Sequence, residues 1–354
     1  MKAEHFDPLG RSGLPKLAER AEISSEDALE SQGLGFAFPV HKKIRTMQAL
    51  HIPTFAEGGE QIDRAELLKV SLRSVKNAWE KAIEPRIGAI RNKAVEEKER
   101  KEGNDFFTEA DVESEKLIVG EFTREFGEQN LQFYGEEVGG YSGNPDANIT
   151  VRIDPIDGTH TFKFGKQDWC IMVGVYEGKR DAQEQIVASV FSPERNELFY
   201  YVKDIGAFSY NQETGESTEL LPVEGQDDLR ELIVSFYAHA EFEQRGKDDE
   251  IIKTLGEQGA EVKMFSSGTE VLEAFMTRGK RILIFDGDMD QTDYIPLSML
   301  VRAGYKIYEW GADQEIRPED PALDNKKVVI VPPGQAGLQV RELIAHIHTK
   351  DGPN

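Results

Sequence analysis

The stretch Ile149-Thr150-Val151-Arg152-Ile153-Asp154-Pro155-Ile156-Asp157-Gly158-Thr159 decides how the chain is read. Ile149, Val151 and Ile153 alternate with Thr150, Arg152 and Asp154, and a period of two predicts a half-buried strand. Pro155 has no N–H to donate, so the ladder is expected to end there. Gly158 and Thr159 permit a tight turn that exposes backbone N–H groups at the start of a helix. Two aspartates at i and i+3 on such a junction are able to grip hard cations while the N–H groups face a phosphate. The plainer reading is an Asx turn closing a strand, which any single Asp-Gly pair would suggest.

Upstream, Leu131-Gln132-Phe133-Tyr134 reads as a short strand that delivers Gly135-Glu136-Glu137 to its end, with a Gly139-Gly140 break after it. Adjacent carboxylates commonly mark exposed surface, but at the end of an apolar strand they look like ligands. Thr108 and Asp111 have the spacing of a helix cap, worth about 1 kcal/mol. Val112, Ile118, Val119, Phe122 and Phe126 follow as a buried stripe. Downstream, Asp293 would stand in the first turn of a helix running to Ala303, where Pro296 is tolerated. An ordinary N-cap aspartate is the plain alternative there.

In this order the segments Asp105–Asp111, Gly135–Glu137, Asp154–Thr159 and the one around Asp293 resemble the inositol monophosphatase superfamily, whose signature contains Asp-Pro-Ile-Asp-Gly-Thr. The match of that whole run makes the plain turn the weaker reading, and the resemblance extends from about Asp63 to the C-terminus. It implies an α/β layered sandwich with alternating helix and sheet layers. It also implies hydrolysis of a small phosphorylated substrate with two or three Mg²⁺ ions, inhibition by lithium, and a homodimer. Carried over residue by residue, Glu136, Asp154 and the Ile156 carbonyl would hold the water-activating metal. Asp154, Asp157 and Asp293 would hold the leaving-group metal. Thr159, Asp111, Thr108 and Glu137 would orient the water, and the Gly158 and Thr159 N–H groups would receive phosphate, with His160 beside them. Gly268, Glu270 and Asp286 fall where the leaving group is contacted.

Two departures from the family pattern stand out. Thr292-Asp293 replaces Trp-Asp, and matching Asp293 leaves the following helix one residue short, whereas sliding to close the gap puts Thr292 at the ligand position. Asp293 is kept here. Gly268-Thr269-Glu270 replaces the usual Gly-Ser-Ala.

Four carboxylates converging in one cleft are strongly unfavourable unless cations sit among them. All-oxygen ligation suits Mg²⁺, with Mn²⁺ as a substitute. The chain of 354 residues has 39% apolar and 9% aromatic content, which is globular. It has no run of about 18 apolar residues, so no membrane span is expected. The start, Met1 to Gly13, lacks the apolar core of a signal peptide, and the single cysteine, Cys170, suits a reducing cytoplasm. Cys170 itself reads as a buried strand residue, not a nucleophile. A net charge of −23 argues against a nucleic-acid surface and requires local positive charge for an anionic substrate, which bound metal ions supply.

Residues 1–60 read as an extension without legible pattern, 61–222 as a first lobe carrying the signature, and 223–354 as a second α/β lobe. Asp63 opens a helix marked by Leu68, Leu72, Val75, Trp79 and Ile83, with a kink near Pro85. The run Glu96–Glu102 is a solvated face, or, by resemblance, a loop beside the metal site. No nucleophile elbow is present and the histidines are scattered, which sets aside Ser-His-Asp and Cys-His hydrolases. Two classes of function remain: an active phosphatase, or a decayed family member acting as a regulatory partner. With Glu270 and Asp286 both acidic, a polyol or amino-alcohol monophosphate is expected over a fructose or nucleotide bisphosphate, unless Lys163, Lys166 or Arg302 reverses the local sign.

Overall fold

A computed structural model describes residues 63–100, 108–137, 139–179, 182–237, 246–265, 267–285, 290–310, 312, 314–318 and 326–349, with side chains left out at 95–100, 246–249 and 348–349. The expectations for residues 1–60 and for Asp286 lie outside these, as does the end of the charged run, whose first residues complete a helix.

The first helix, α1 (Arg64–Ala78), begins where expected, because the Asp63 side chain accepts the Ala65 N–H at 2.9 Å. Its buried stripe includes Leu68, Leu72 and Val75. The kink anticipated at Pro85 is prepared one turn earlier by a π-helical turn over Trp79–Ile83, and the chain resumes as α2 (Ile87–Arg100). Helix α3 (Glu109–Phe126) follows.

Strands β1 (Leu131–Gly135), β2 (Gly140–Gly143) and β3 (Ile149–Asp157) lead to a short helix, α4 (Thr159–Lys163). Strands β4 (Cys170–Glu177), β5 (Glu184–Ser192), β6 (Glu197–Val202), β7 (Gly206–Asn211) and β8 (Glu216–Glu219) then form a meander. These build an eight-stranded sheet in the order β2-β1-β3-β4-β5-β6-β7-β8, with β1 and β3 parallel and every other pair antiparallel.

The second half alternates: β9 (Ile233–Tyr237), α5 (Gly246–Glu257), β10 (Glu261–Phe265), α6 (Thr269–Met276), β11 (Arg281–Phe285), α7 (Leu297–Arg302), β12 (Lys306–Glu309), β13 (Glu315–Ile316), β14 (Val328–Val331) and α8 (Gln335–Thr349). Its six-stranded sheet runs β10-β9-β11-β14-β12-β13. The helix expected from Asp293 starts later, at Leu297, because turns occupy 291–296 and Pro296 takes the N-cap.

Three apolar clusters define the layers. Leu67 and Leu68 of α1 and Ile118 and Phe122 of α3 pack on Val151, Ile153, Ile171 and Val173 of the first sheet. The alternate residues Cys170, Met172, Ala188 and Val190 join Leu272 and Phe275 of α6, Leu297 and Leu300 of α7, and Leu283 and Ile330 of the second sheet. Val234, Ile284 and Val329 on the far face meet Ile251 and Leu255 of α5 and Val340 and Ile344 of α8. Helix, sheet, helix, sheet and helix layers alternate, as the α/β layered sandwich requires. This corrects the reading of β3 as half-buried: all nine of its residues are buried, with Thr150 and Arg152 on its second face held by the Gln183 side chain and by the turn at Gln291.

The ladder also does not stop at Pro155. Pairing jumps from Asp154 with Met172 to Asp157 with Cys170, so a bulge absorbs the proline, which could not have donated. Among the described residues no helix is long and apolar enough to cross a membrane.

Phe122 joins α3 to the first sheet and is fully buried, with its ring centroid 6.1 Å from that of Phe126. Phe122→Ala is expected to lower unfolding stability by about 3–5 kcal/mol, read as a fall in the urea midpoint at unchanged slope.

Candidate functional site

Asp154 and Asp157 leave the end of β3 on either side of the bulge, and each is pinned by a backbone amide. The Ile156 N–H donates to Asp154 Oδ1 at 3.1 Å. The Gly268 N–H donates to Asp157 Oδ2, and so does the Cys170 thiol at 3.3 Å. Asp293 lies in the turn before α7, where the Asp290 N–H donates to its Oδ2 at 2.7 Å. One carboxylate oxygen from each of these three aspartates lies within 4.8 Å of the others.

Asp293 is therefore the residue of its segment whose carboxylate reaches the pair, while Thr292 is buried and its carbonyl accepts the Ile295 N–H at 3.1 Å. Glu136 follows directly on β1, where its N–H donates to the Ile153 carbonyl at 3.3 Å, and its side chain hydrogen-bonds Asp154.

The second group of residues sits at the starts of α3 and α4. Thr108 caps α3 in a reciprocal box: its backbone N–H donates to Asp111 Oδ2 at 2.7 Å, and its hydroxyl bonds the same oxygen. The cap reading is thus correct, yet Asp111 also faces the signature. The Thr159 hydroxyl lies 3.0 Å from the Ile156 carbonyl oxygen and 3.4 Å from Asp111 Oδ1. Gly158 has φ +83°, and a Cβ there would stand 2.7 Å from Ser267 Cβ, so no other residue fits without displacement.

The electrostatics follow from burial and like charge. Burial raises Asp111 to about 6, against the pull of the Thr108 donors. Burial and then the Asp293 charge raise Asp157 to about 7. Asp293 also rises to about 7, through burial opposed by the Asp290 amide. Asp154 goes well up, first by burial and then by Glu136 and Asp157. Glu136 keeps solvent access at the lip of the site, but the protein crowding its carboxylate still leads the causes that lift it to about 7. Glu137 reaches about 8, through burial and then Asp111, Glu136 and Glu115. Negative charge is held here that the fold alone does not stabilise.

Two further acids belong to this arrangement and escaped the sequence reading. Glu115 is 2% exposed, and its Oε2 accepts the Glu137 N–H at 3.0 Å. Its carboxylate fills the space a Cβ at Gly135 would need. Its signal was its place four residues after Asp111, on the same face of α3. Asp290, three residues before Asp293, raises Glu136 and Asp293 by its charge.

The substrate-side residues fare differently. Gly268 is at the site through its amide bond to Asp157. His160 is exposed, with its ring 4.9 Å from that of Phe164. Glu270 does not present a free charge. It forms an ion pair with the buried Arg281 and accepts the Ser235 hydroxyl at 2.6 Å, so the repulsion expected of it is met inside the protein.

A model of the inositol monophosphatase family matches residues 63–331. The chain belongs to that family. Histidinol-phosphatase of Streptomyces coelicolor is 29% identical over 142 residues, covering 40% of this chain and 51% of that protein. Nus factor SuhB of Xylella fastidiosa is 35% identical over 103 residues, 29% of this chain and 34% of that protein. The alignments span about half, or less, of these curated relatives. The fold is shared with Staphylococcal IMPase-II at a TM-score of 0.60 and 15% identity, over 81% of this chain and 95% of that one. The matched family and the Streptomyces coelicolor relative both carry phosphatase names.

A carboxyl whose folded pKa is raised costs stability as pH climbs from its unfolded value, near 4, through its folded one. For Asp111, Glu136, Asp157, Asp293 and Glu137 that window closes between about 6 and about 8. In chelator, the melting temperature is expected to fall between pH 5 and pH 8. Asp154→Asn should melt about 2–4 °C above wild type at pH 8, with the gap closing at pH 5; calorimetric scans at the two pH values check both.

Proposed function

We propose that the chain is a Mg²⁺-dependent phosphomonoesterase that hydrolyses a small polyol or amino-alcohol monophosphate by direct attack of water. The observation that carries this reading is the meeting of Asp154, Asp157 and Asp293 oxygens within 4.8 Å in a cleft whose own charges repel. The donor set fits the ion. Carboxylates and the Ile156 carbonyl are hard oxygens, and the one soft donor, the Cys170 thiol, stays protonated because burial pushes it well up. Glu136, Asp154 and the Ile156 carbonyl would hold one ion, and Asp154, Asp157 and Asp293 the other. When bound, Mg²⁺ supplies the positive charge that acidifies water and stabilises charge on the leaving oxygen.

The remaining steps belong to the chain. The Thr159 hydroxyl orients the attacking water and relays its proton to Asp111, whose carboxyl, lifted to about 6, is a base poised near neutral pH. Thr108 holds Asp111 in the orientation that meets Thr159. The Gly158 and Thr159 N–H groups, at the start of α4, receive phosphate oxygens. The substrate class rests on the names of the family and of the histidinol-phosphatase relative. With Glu270 neutralised by Arg281, a fructose or nucleotide bisphosphate is the next alternative. A regulatory partner role is favoured by the altered segment at Asp293 and the Nus factor name of one relative, but the intact carboxylate set weighs more.

Phosphate release should require Mg²⁺ and stop in chelator. Asp154→Asn should cost more than tenfold in kcat, at least about 1.4 kcal/mol of barrier; retention of a tenth or more removes Asp154 from its role. Asp293→Asn should behave likewise and Thr292→Ala should not.

Compared by kcat/KM, inositol 1-phosphate or histidinol phosphate should exceed fructose 1,6-bisphosphate and adenosine 3′,5′-bisphosphate. A tenfold preference for the nucleotide would reverse the substrate assignment.

A further inference from the structure

We propose that Tyr134 is a positioning residue for the Asp293 carboxylate, acting through Asp290; the proposal rests on the reading that Asp293 holds a cation. Asp293 belongs to the turns at 291–296, not to a strand or helix, so its aim depends on what holds that turn. Within the turn, Asp290 and Asp293 bind each other. The Asp293 N–H donates to the Asp290 carbonyl at 3.2 Å, and the Asp290 N–H donates to Asp293 Oδ2 at 2.7 Å. This closed pair moves as a unit unless something fastens it to the sheets.

The fastening comes from one row of the first sheet. Tyr134 on β1 is the direct register partner of Tyr141 on β2 and of Arg152 on β3, so the three side chains stand side by side on one face. All three reach the turn. The Tyr134 hydroxyl donates to Asp290 Oδ1 at 2.6 Å, the Tyr141 hydroxyl to Gln291 Oε1 at 2.9 Å, and Arg152 to the Gln291 carbonyl at 3.4 Å. The Tyr134 and Tyr141 rings meet edge to face at 4.9 Å, which fixes both hydroxyls. Arg152 is 3% exposed, with its guanidinium 4.0 Å above the Tyr176 ring and donating to Gln183 at 3.0 Å.

Tyr134 holds the shortest of these three bonds to the turn, and it lies two residues before Glu136, which follows directly on β1. Tyr134 therefore ties the strand that leads into Glu136 to the turn that carries Asp293 across the cleft. A ligand shell works only within about 0.5 Å of its geometry, and the partners that orient ligands are worth about 10–100-fold in metal affinity.

The test is calorimetric titration of the full chain with Mg²⁺, without substrate, for wild type, Tyr134→Phe, Asp290→Ala and the double variant. Tyr134→Phe keeps the ring and its packing, so its melting temperature in chelator should stay within about 2 °C of wild type. Its Mg²⁺ affinity should fall about tenfold, and in the Asp290→Ala background the same change should cost less than about twofold. Wild-type affinity retained in Tyr134→Phe overturns the proposal and leaves the metal reading standing. Equal losses in both backgrounds overturn it too, because the effect would not pass through Asp290. A wild-type chain that binds no Mg²⁺ sinks the metal reading itself, and this inference with it.

Discussion

Like charges forced together away from water are the constraint on which the rest of the structure depends. Asp154, Asp157, Asp293 and Glu136 arrive from two strand ends and one turn, and burial together with mutual repulsion pushes each of them up. Left to themselves such groups would swing apart or take up protons. The fold prevents the first by anchoring. Asp154, Asp157, Asp293 and Asp111 each accept a backbone N–H, from Ile156, Gly268, Asp290 and Thr108 in turn. One carboxylate oxygen is tied to main chain that cannot move far. The other is aimed.

The layers explain how so rigid a set of anchors is possible. Gly268 opens α6 in the middle layer, and the Asp293 turn leads into α7 of that same layer. Their helices pack between the two sheets through Leu272, Phe275, Leu297 and Leu300. The cleft is thus framed by elements packed between two sheets, and little conformational freedom remains to relax the repulsion. A chain of net charge −23 has no general attraction for an anion, so the proposed phosphorylated substrate would have to be recognised in this one locality.

Much of this was legible in the sequence because it is local. The Asp63 and Thr108 caps and the strands at Leu131, Glu197 and Ile282 follow from spacing and turn chemistry over a few residues. So does the junction at Asp154–Thr159. What escaped is long-range. Nothing near Glu270 announces Arg281, and a free acid was the natural reading until β11 brought the guanidinium beside α6. Glu115 looked like one more charge on a helix, and its value lies in meeting Glu137 across the site. The burial of β3 on both faces depended on Gln183 and on a turn 139 residues downstream of Arg152. Asp293 stands between these cases: local pattern left its register open, and tertiary geometry places its carboxylate with Asp154 and Asp157.

The bulge at Pro155 has a consequence of parity. In an uninterrupted strand, residues three apart face opposite ways, and Asp154 and Asp157 would look into different layers. Here β3 advances from Asp154 to Asp157 while β4 retreats only from Met172 to Cys170, and those two partners share one face. The odd residue restores an even count, and both carboxylates turn to the same side. Proline is suited to the skipped position because it has no amide to leave unmet. Removing or adding one residue between the aspartates would send one of the two charges through the sheet into the packed layer of α1 and α3. The spacing of the signature is therefore a count that fixes which side of the sheet is charged.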